Sequence, residues 1–147
     1  MSTYFATILW QRNGAAFTDQ RYSRAHVMQF DGGAEVAGSS SPHAVPVPYS
    51  DAAAVDPEEA FVAALSSCHM LTFLAVAAKH KLSLESYRDD AVGVLEKNAA
   101  GKLAITRVTL KPTIVWSAGV TVSPEVLAKL HHDAHENCFI ANSVTTE

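Results

Sequence analysis

Apolar residues run almost unbroken from Ala60 to Ala78 (AFVAALSSCHMLTFLAVAA), about five turns of helix, while the stretches on either side alternate or break. A helix of that length that is apolar on all sides either spans a membrane or forms a core element wrapped on every face. Ser66, Ser67, Cys68, His69 and Thr72 stand at the centre of the run and no second run resembles it, which favours the core helix over the span. Covering every face of such a helix in so short a chain takes a second subunit, so the pattern predicts a homodimer. Asp56-Pro57-Glu58-Glu59 supplies the start: an N-cap, a proline at the first helical position and acidic residues in the first turn. Lys79-His80-Lys81 places cations where the helix should end.

Upstream, Tyr4 to Trp10 is β-prone and leads to the turn dipeptide Asn13-Gly14. Tyr22 to Phe30 loosely alternates, and Asp31-Gly32-Gly33 reads as a tight turn before Ala34 to Gly38, which together predict an antiparallel meander. Ser39 to Val55, rich in proline and small residues, predicts an ordered loop. Downstream, Tyr87 to Lys97 and Leu103 to Val115 flank Asn98-Ala99-Ala100-Gly101, a hairpin signal. Ser123-Pro124-Glu125 opens a second helix with Val126, Leu127 and Leu130 on its apolar stripe, running to His135 or Glu136. Ser143 to Glu147 is polar and β-prone, suited to a short last strand. The order predicts an α+β fold, antiparallel sheet packed on two long helices, in a single domain spanning 1–147.

Composition narrows the function. With 147 residues, 48% apolar and 18% charged, the chain is long enough to bury a real core. A net charge of −4 and scattered lysines and arginines leave no basic field for nucleic acid. The stretch MSTYFATILWQRNG has no export signature, so a cytoplasmic location is expected. Two cysteines there, Cys68 within the apolar run and Cys138 in HHDAHENCFIANSV, are more often reactive thiols than a permanent staple.

The run DPEEAFVAALSSCHMLTFL, the later AHENCFIANSV and the order of elements resemble the OsmC/Ohr family, the osmotically inducible and organic-hydroperoxide-resistance proteins, over nearly the whole chain. The most specific part is the Pro-Glu-Glu helix start with a cysteine ten residues after its first glutamate, Glu58 to Cys68, and a second cysteine beyond the second long helix. The resemblance implies an intertwined OsmC-like homodimer and thiol-dependent reduction of organic hydroperoxides. It makes Cys68 the peroxidatic residue, Cys138 the resolving one and Glu58 the carboxylate that positions an activating arginine. It implies no bound cofactor, and an external dithiol, of lipoyl type in some members, as reductant.

The chemistry has its own requirements. A thiolate attacks the O–O bond and becomes a sulfenic acid, and a second thiol condenses with it to a disulfide that a dithiol must reduce. An ordinary thiol is only a few per cent thiolate at neutral pH, and apolar surroundings lower that fraction. Cys68 lies about three turns past the helix start, beyond the reach of the dipole, so it needs a cation. Many OsmC-type proteins carry an arginine in the stretch before the Pro-Glu motif, but Ser39 to Asp56 has none. Arg24, between apolar neighbours in the Tyr22 to Phe30 segment, is the first candidate, followed by Arg21 and Arg12. Glu58 and Cys68 are separated by roughly 15 Å along a continuous helix. Either the helix bends or Glu58 and its arginine meet Cys68 of a partner subunit.

Other readings compete. His131, His132 and His135, with Cys138 and Cys68-His69, offer nitrogen and sulfur ligands of the kind zinc takes, although their spacing is loose; the alternative places them on a polar helix face, with His69 lining a pocket. Cys138 also suits a structural core thiol, and Glu59 a dipole-favoured residue. A non-catalytic small-molecule or lipid-binding module would use the same fold with an apolar cavity formed by Phe61, Leu65, Met70, Phe73 and the proline-rich loop. Apolar surface near Cys68, with Phe139 and Ile140 beside Cys138, favours bulky organic hydroperoxides over hydrogen peroxide.

Overall fold

The computed structural model describes all residues, Met1–Glu147, and they group into two compact units, Met1–Ala60 and Phe61–Glu147. The first is the expected meander. Strands β1 (Ala6–Leu9), β2 (His26–Phe30) and β3 (Glu35–Gly38) form an antiparallel sheet in that order, with Ile8 opposite Met28 and Met28 opposite Val36. The β2–β3 turn closes where the predicted Asp31-Gly32-Gly33 stands, through Phe30 N–H to Ala34 O and Gly33 N–H to Phe30 O. Arg24 falls just before β2 rather than inside a strand from Tyr22. The connection from β1 to β2 gathers its aromatic residues: Phe17 stacks on Tyr22 with ring centres 4.7 Å apart, and Trp10 meets both.

The loop from Ser39 to Val55 is ordered, as its composition predicted. Val55 N–H donates to Ala37 O and Ser39 N–H to Val55 O, and the buried Ser39 Oγ accepts from Asp51 N–H at 2.9 Å. The loop delivers the chain to a reciprocal cap. Asp56 Oδ1 accepts from Glu59 N–H at 2.8 Å while Glu59 Oε2 accepts from Asp56 N–H at 3.2 Å, with Pro57 at the first helical position. Glu59 therefore closes a capping box, a more specific role than a favourable charge in the first turn.

Helix α1 (Pro57–Lys79) continues into the second unit, unbroken for 23 residues. Its buried residues, Leu65, His69, Phe73 and Ala77, recur every fourth position, one stripe rather than all faces. Leu71, on another face, keeps 60% of its surface exposed. The stripe meets α2 (Pro124–Glu136), and Phe73, Ala77, Leu130 and Ala134 form a core to which Tyr87, Ile114, Trp116 and Leu127 add partly buried surface. Ser123 caps α2 by accepting from Val126 N–H at 3.3 Å, as its sequence foretold.

Between the helices the chain forms one long hairpin split into two ladders. Strands β5 (Val92–Lys97) and β6 (Leu103–Thr109) pair around the Asn98–Gly101 turn, where Asn98 Oδ1 accepts from Ala100 and Lys102 N–H and Gly101 takes φ +74°. Strands β4 (Leu84–Asp89) and β7 (Pro112–Trp116) pair below them. The two long strands expected here are thus four. The break has a local cause: Pro112, opposite Asp89, has no N–H to donate, and Asp89 turns its carboxylate to Lys111 N–H and to Ser66 Oγ, each at 2.5 Å. Gly93 lets β5 approach α1, since a Cβ there would stand 2.5 Å from Val62 Cγ2. The tail forms a short 3₁₀ turn at Ala141–Ser143, and Glu147 then bonds β6 through Thr106 O and Val108 N–H without becoming a strand.

Candidate active site

Helix α1 and the segment after α2 bring the two cysteines together. Cys68, half-buried in the fourth turn of α1, is met by the segment that carries Cys138, 70 residues later, and both remain free thiols. The turn after α2 holds the pair: Ile140 N–H donates to Cys68 Sγ at 3.5 Å and Ala141 N–H to Cys138 Sγ at 3.4 Å. Cys138 is the more enclosed, with 1% of its surface exposed. Burial, and then the neighbouring Cys68 thiol, push its thiol above the ordinary cysteine range. The less buried Cys68 is the better placed to meet a substrate; Cys138 is placed to meet Cys68.

His69, the next residue of α1, points into the core and is 7% exposed. A buried imidazole needs a partner, and it finds one in His131 of α2, Nε2 to Nδ1 at 3.0 Å. The rings lie nearly parallel, and Phe73 stacks on His131 with centres 4.6 Å apart. Burial lowers the pKa of both histidines; for His69 the neighbouring His131 and His135 add to it, while Asp89 opposes. The expectation of a polar face for these histidines therefore fails at His131. It follows Leu127 and Leu130 at positions i+4 and i+1, inside the apolar stripe of α2, and that register was the available signal.

A cavity of about 60 Å³ opens beside Cys138, lined by Leu65, Val108 and Leu110 on its apolar side and by His69, His135 and Glu147 on its polar side. His69 thus does line a pocket. Of the residues named for an apolar binding cavity, Leu65 lines this one, whereas Phe73 is fully buried in core packing. No three histidine, cysteine or acidic side chains come together in an arrangement that could hold a metal ion.

The remaining predicted site residues lie in Met1–Ala60. Glu58, in the first turn of α1, is half-buried and takes part in neither of the chain's salt bridges, Arg88–Asp90 and Lys129–Asp133. Arg24 is half-buried over the Tyr22 ring, 3.8 Å from its centre, and donates to the carbonyls of Gln20 at 2.7 Å and Tyr22 at 2.5 Å. Its side chain is ordered by cation–π contact and backbone acceptors. Arg12 and Arg21 are exposed.

A family model described as OsmC-like protein matches residues 50–147. Among solved structures, an OsmC-like protein of unknown function from Vibrio cholerae is 57% identical, covers 100% of this chain and 96% of its own, and superposes with a TM-score of 0.97. An organic hydroperoxide resistance protein from Elizabethkingia anophelis, with thiocyanate bound, is 19% identical over 97% of this chain and 88% of its own, with a TM-score of 0.71. A third, an organic hydroperoxide resistance protein from Legionella pneumophila, is 19% identical over 97% of this chain and 89% of its own, with a TM-score of 0.68. At that identity the last two share the fold. No curated protein matches the chain.

Proposed function

The chain belongs to the OsmC-like protein family, and from that premise we propose that it is a thiol-dependent peroxidase acting on organic hydroperoxides in oxidative-stress defence. The observation that carries this reading is the turn after α2, whose neighbouring Ile140 and Ala141 N–H groups hold Cys68 and Cys138, two free thiols brought together from distant parts of the chain. Cys68 attacks the O–O bond, its sulfur is oxidised to a sulfenic acid and the alcohol leaves. Cys138 then displaces hydroxide from that sulfur to give the disulfide and water, and an external dithiol restores both thiols.

The thiolate at Cys68 needs stabilisation beyond the single N–H from Ile140. Arg24, oriented by Glu58, is the proposed cation. Because α1 is unbroken, Glu58 and Cys68 of one chain stand roughly 15 Å apart along it, which favours a site shared in a homodimer. Exposed Leu71 on α1 and the exposed apolar residues Ile8 and Leu9 of β1 supply surface for such a partner. A mixed dimer with Cys68→Ser on one chain and Glu58→Gln on the other should keep half-site activity in one pairing; absence of activity in both overturns the shared site. The proposed setting is cytoplasmic.

A binding module without catalysis is the weaker reading. It leaves without a role the two free thiols that the turn after α2 holds together. One equivalent of tert-butyl hydroperoxide separates the two: the peroxidase loses two thiols and yields a Cys68–Cys138 disulfide, and retention of both thiols refutes it.

A further inference from the structure

We propose that His69, held by His131, is the base that removes the Cys138 proton when the disulfide closes. This rests on the peroxidase reading and concerns its second half, the condensation of Cys138 with the sulfenic acid on Cys68. Closure needs the thiolate of Cys138, yet that thiol is 1% exposed and cannot hand its proton directly to bulk water. The acceptor must stand in the small cavity that Cys138 itself lines. Three ionisable side chains share it: His69, His135 and Glu147.

His69 is distinguished from the other two by burial and by a second base behind it. His135 at the end of α2 and Glu147 in the tail are both exposed, while His69 is enclosed and bonded to His131 at 3.0 Å. One ring of the pair donates and the other accepts, so each can remain neutral, and two imidazoliums cannot share that bond. The arrangement that serves closure has His69 Nε2–H donating to His131 Nδ1. His69 Nδ1 then keeps a lone pair, and His131 stabilises the imidazolium as charge develops.

The step balances. The Cys138 S–H bond breaks and its proton goes to His69; the sulfur attacks the Cys68 sulfenic sulfur, forming S–S and releasing hydroxide. Hydroxide takes the proton back from His69 and leaves as water, which a cavity of this size can hold. The groups facing His69 are His131 and His135 from α2, Asp89 from β4, and Cys138 and Glu147 across the cavity. Burial and the two neighbouring histidines outweigh Asp89 and lower its pKa, which keeps the base unprotonated at neutral pH.

The test is a single turnover with one equivalent of tert-butyl hydroperoxide on the full chain. Sulfenic acid is trapped with dimedone, and disulfide formation is followed separately by thiol loss. In the wild type, closure should be level from about pH 6.5 upward and fall in acid, as a base with a lowered pKa requires. In His69→Gln, closure at pH 7 should be about a hundredfold slower, rise tenfold per pH unit as the thiol itself ionises, and let dimedone-trapped sulfenic acid accumulate. His131→Asn, which leaves His69 in place, should slow closure and move its acid limb. Closure in a folded His69→Gln within about threefold of wild type overturns the proposal. So does a wild-type closure rate that climbs tenfold per unit through pH 6–8, a result that needs no variant. Loss of no thiol in the wild type refutes the peroxidase reading instead, and with it the step His69 would serve.

Discussion

Replacing Phe73 by alanine should destabilise the protein by about 3–5 kcal/mol and loosen the histidine pair at the same time. Phe73 is fully buried, contacts Tyr87 and Trp116 from the β4–β7 ladder, and stacks on His131 of α2. Removing the ring forfeits its burial and leaves a cavity bounded by a helix on either side and a sheet, which cannot collapse freely. A loss of about 4 kcal/mol is a large share of a domain stability of 5–15 kcal/mol. With a urea slope of about 2 kcal/mol per M, the midpoint should fall by about 2 M at unchanged slope. The control is Leu71→Ala, two residues along α1 and 60% exposed. In a lone chain it should cost no more than about 0.5 kcal/mol. In a dimer that covers Leu71 it should cost more than 1 kcal/mol, with a midpoint that rises with protein concentration. A Phe73→Ala loss below about 1.5 kcal/mol with the slope preserved would refute the assignment of Phe73 to the centre of the core. His131 should respond too: with water admitted beside it, its NMR titration should move up towards the ordinary histidine value.

Three further outcomes are expected. His69 and His131 both have pKa values lowered on folding; between those values and about 6.5 the unfolded chain binds more protons. Their contribution to stability is therefore complete above about pH 6.5 and is lost as pH falls through the lowered values; urea midpoints from pH 7.5 to 5 should drop less in a His69→Gln, His131→Gln variant than in the wild type. Ser123→Ala removes the acceptor for Val126 N–H and should cost about 1 kcal/mol by urea unfolding. Asp89→Ala strands Ser66 Oγ and Lys111 N–H at the break in the hairpin; a loss of about 1.5–3 kcal/mol is expected, and hydrogen exchange should quicken at Lys111 first.

The helices were the most legible part of the fold, because their signals are local. Asp56-Pro57-Glu58-Glu59 and Ser123-Pro124-Glu125 each begin a helix where they stand in the sequence. The hairpin turn at Asn98–Gly101 was legible for the same reason. Its division into four strands was not: Pro112 interrupts the ladder only because it falls opposite Asp89, a register that no window of sequence reveals. Cys68 and Cys138 were identifiable by residue type, but their meeting at one turn depends on the segment after α2 folding back onto α1. The His69–His131 bond joins residues 62 positions apart and was invisible for the same reason, although the place of His131 among Leu127 and Leu130 marked it as inward-facing.

The holding of both reduced thiols by one turn also sets a race. A sulfenic acid on Cys68 can be captured by a thiol or struck by a second hydroperoxide, and the second event carries it to sulfinic acid, from which a dithiol cannot recover it. Adjacent N–H groups of one turn already hold Cys68 and Cys138 before any oxidation, so capture needs no unfolding and no long search. Groups held in such proximity react as though present at effective concentrations far above those of free thiols. The turn at Ile140 and Ala141, which holds both sulfurs by its N–H groups, thereby acts as a safeguard against hyperoxidation, and loosening it should show first as inactivation at high peroxide rather than as slow turnover at low peroxide.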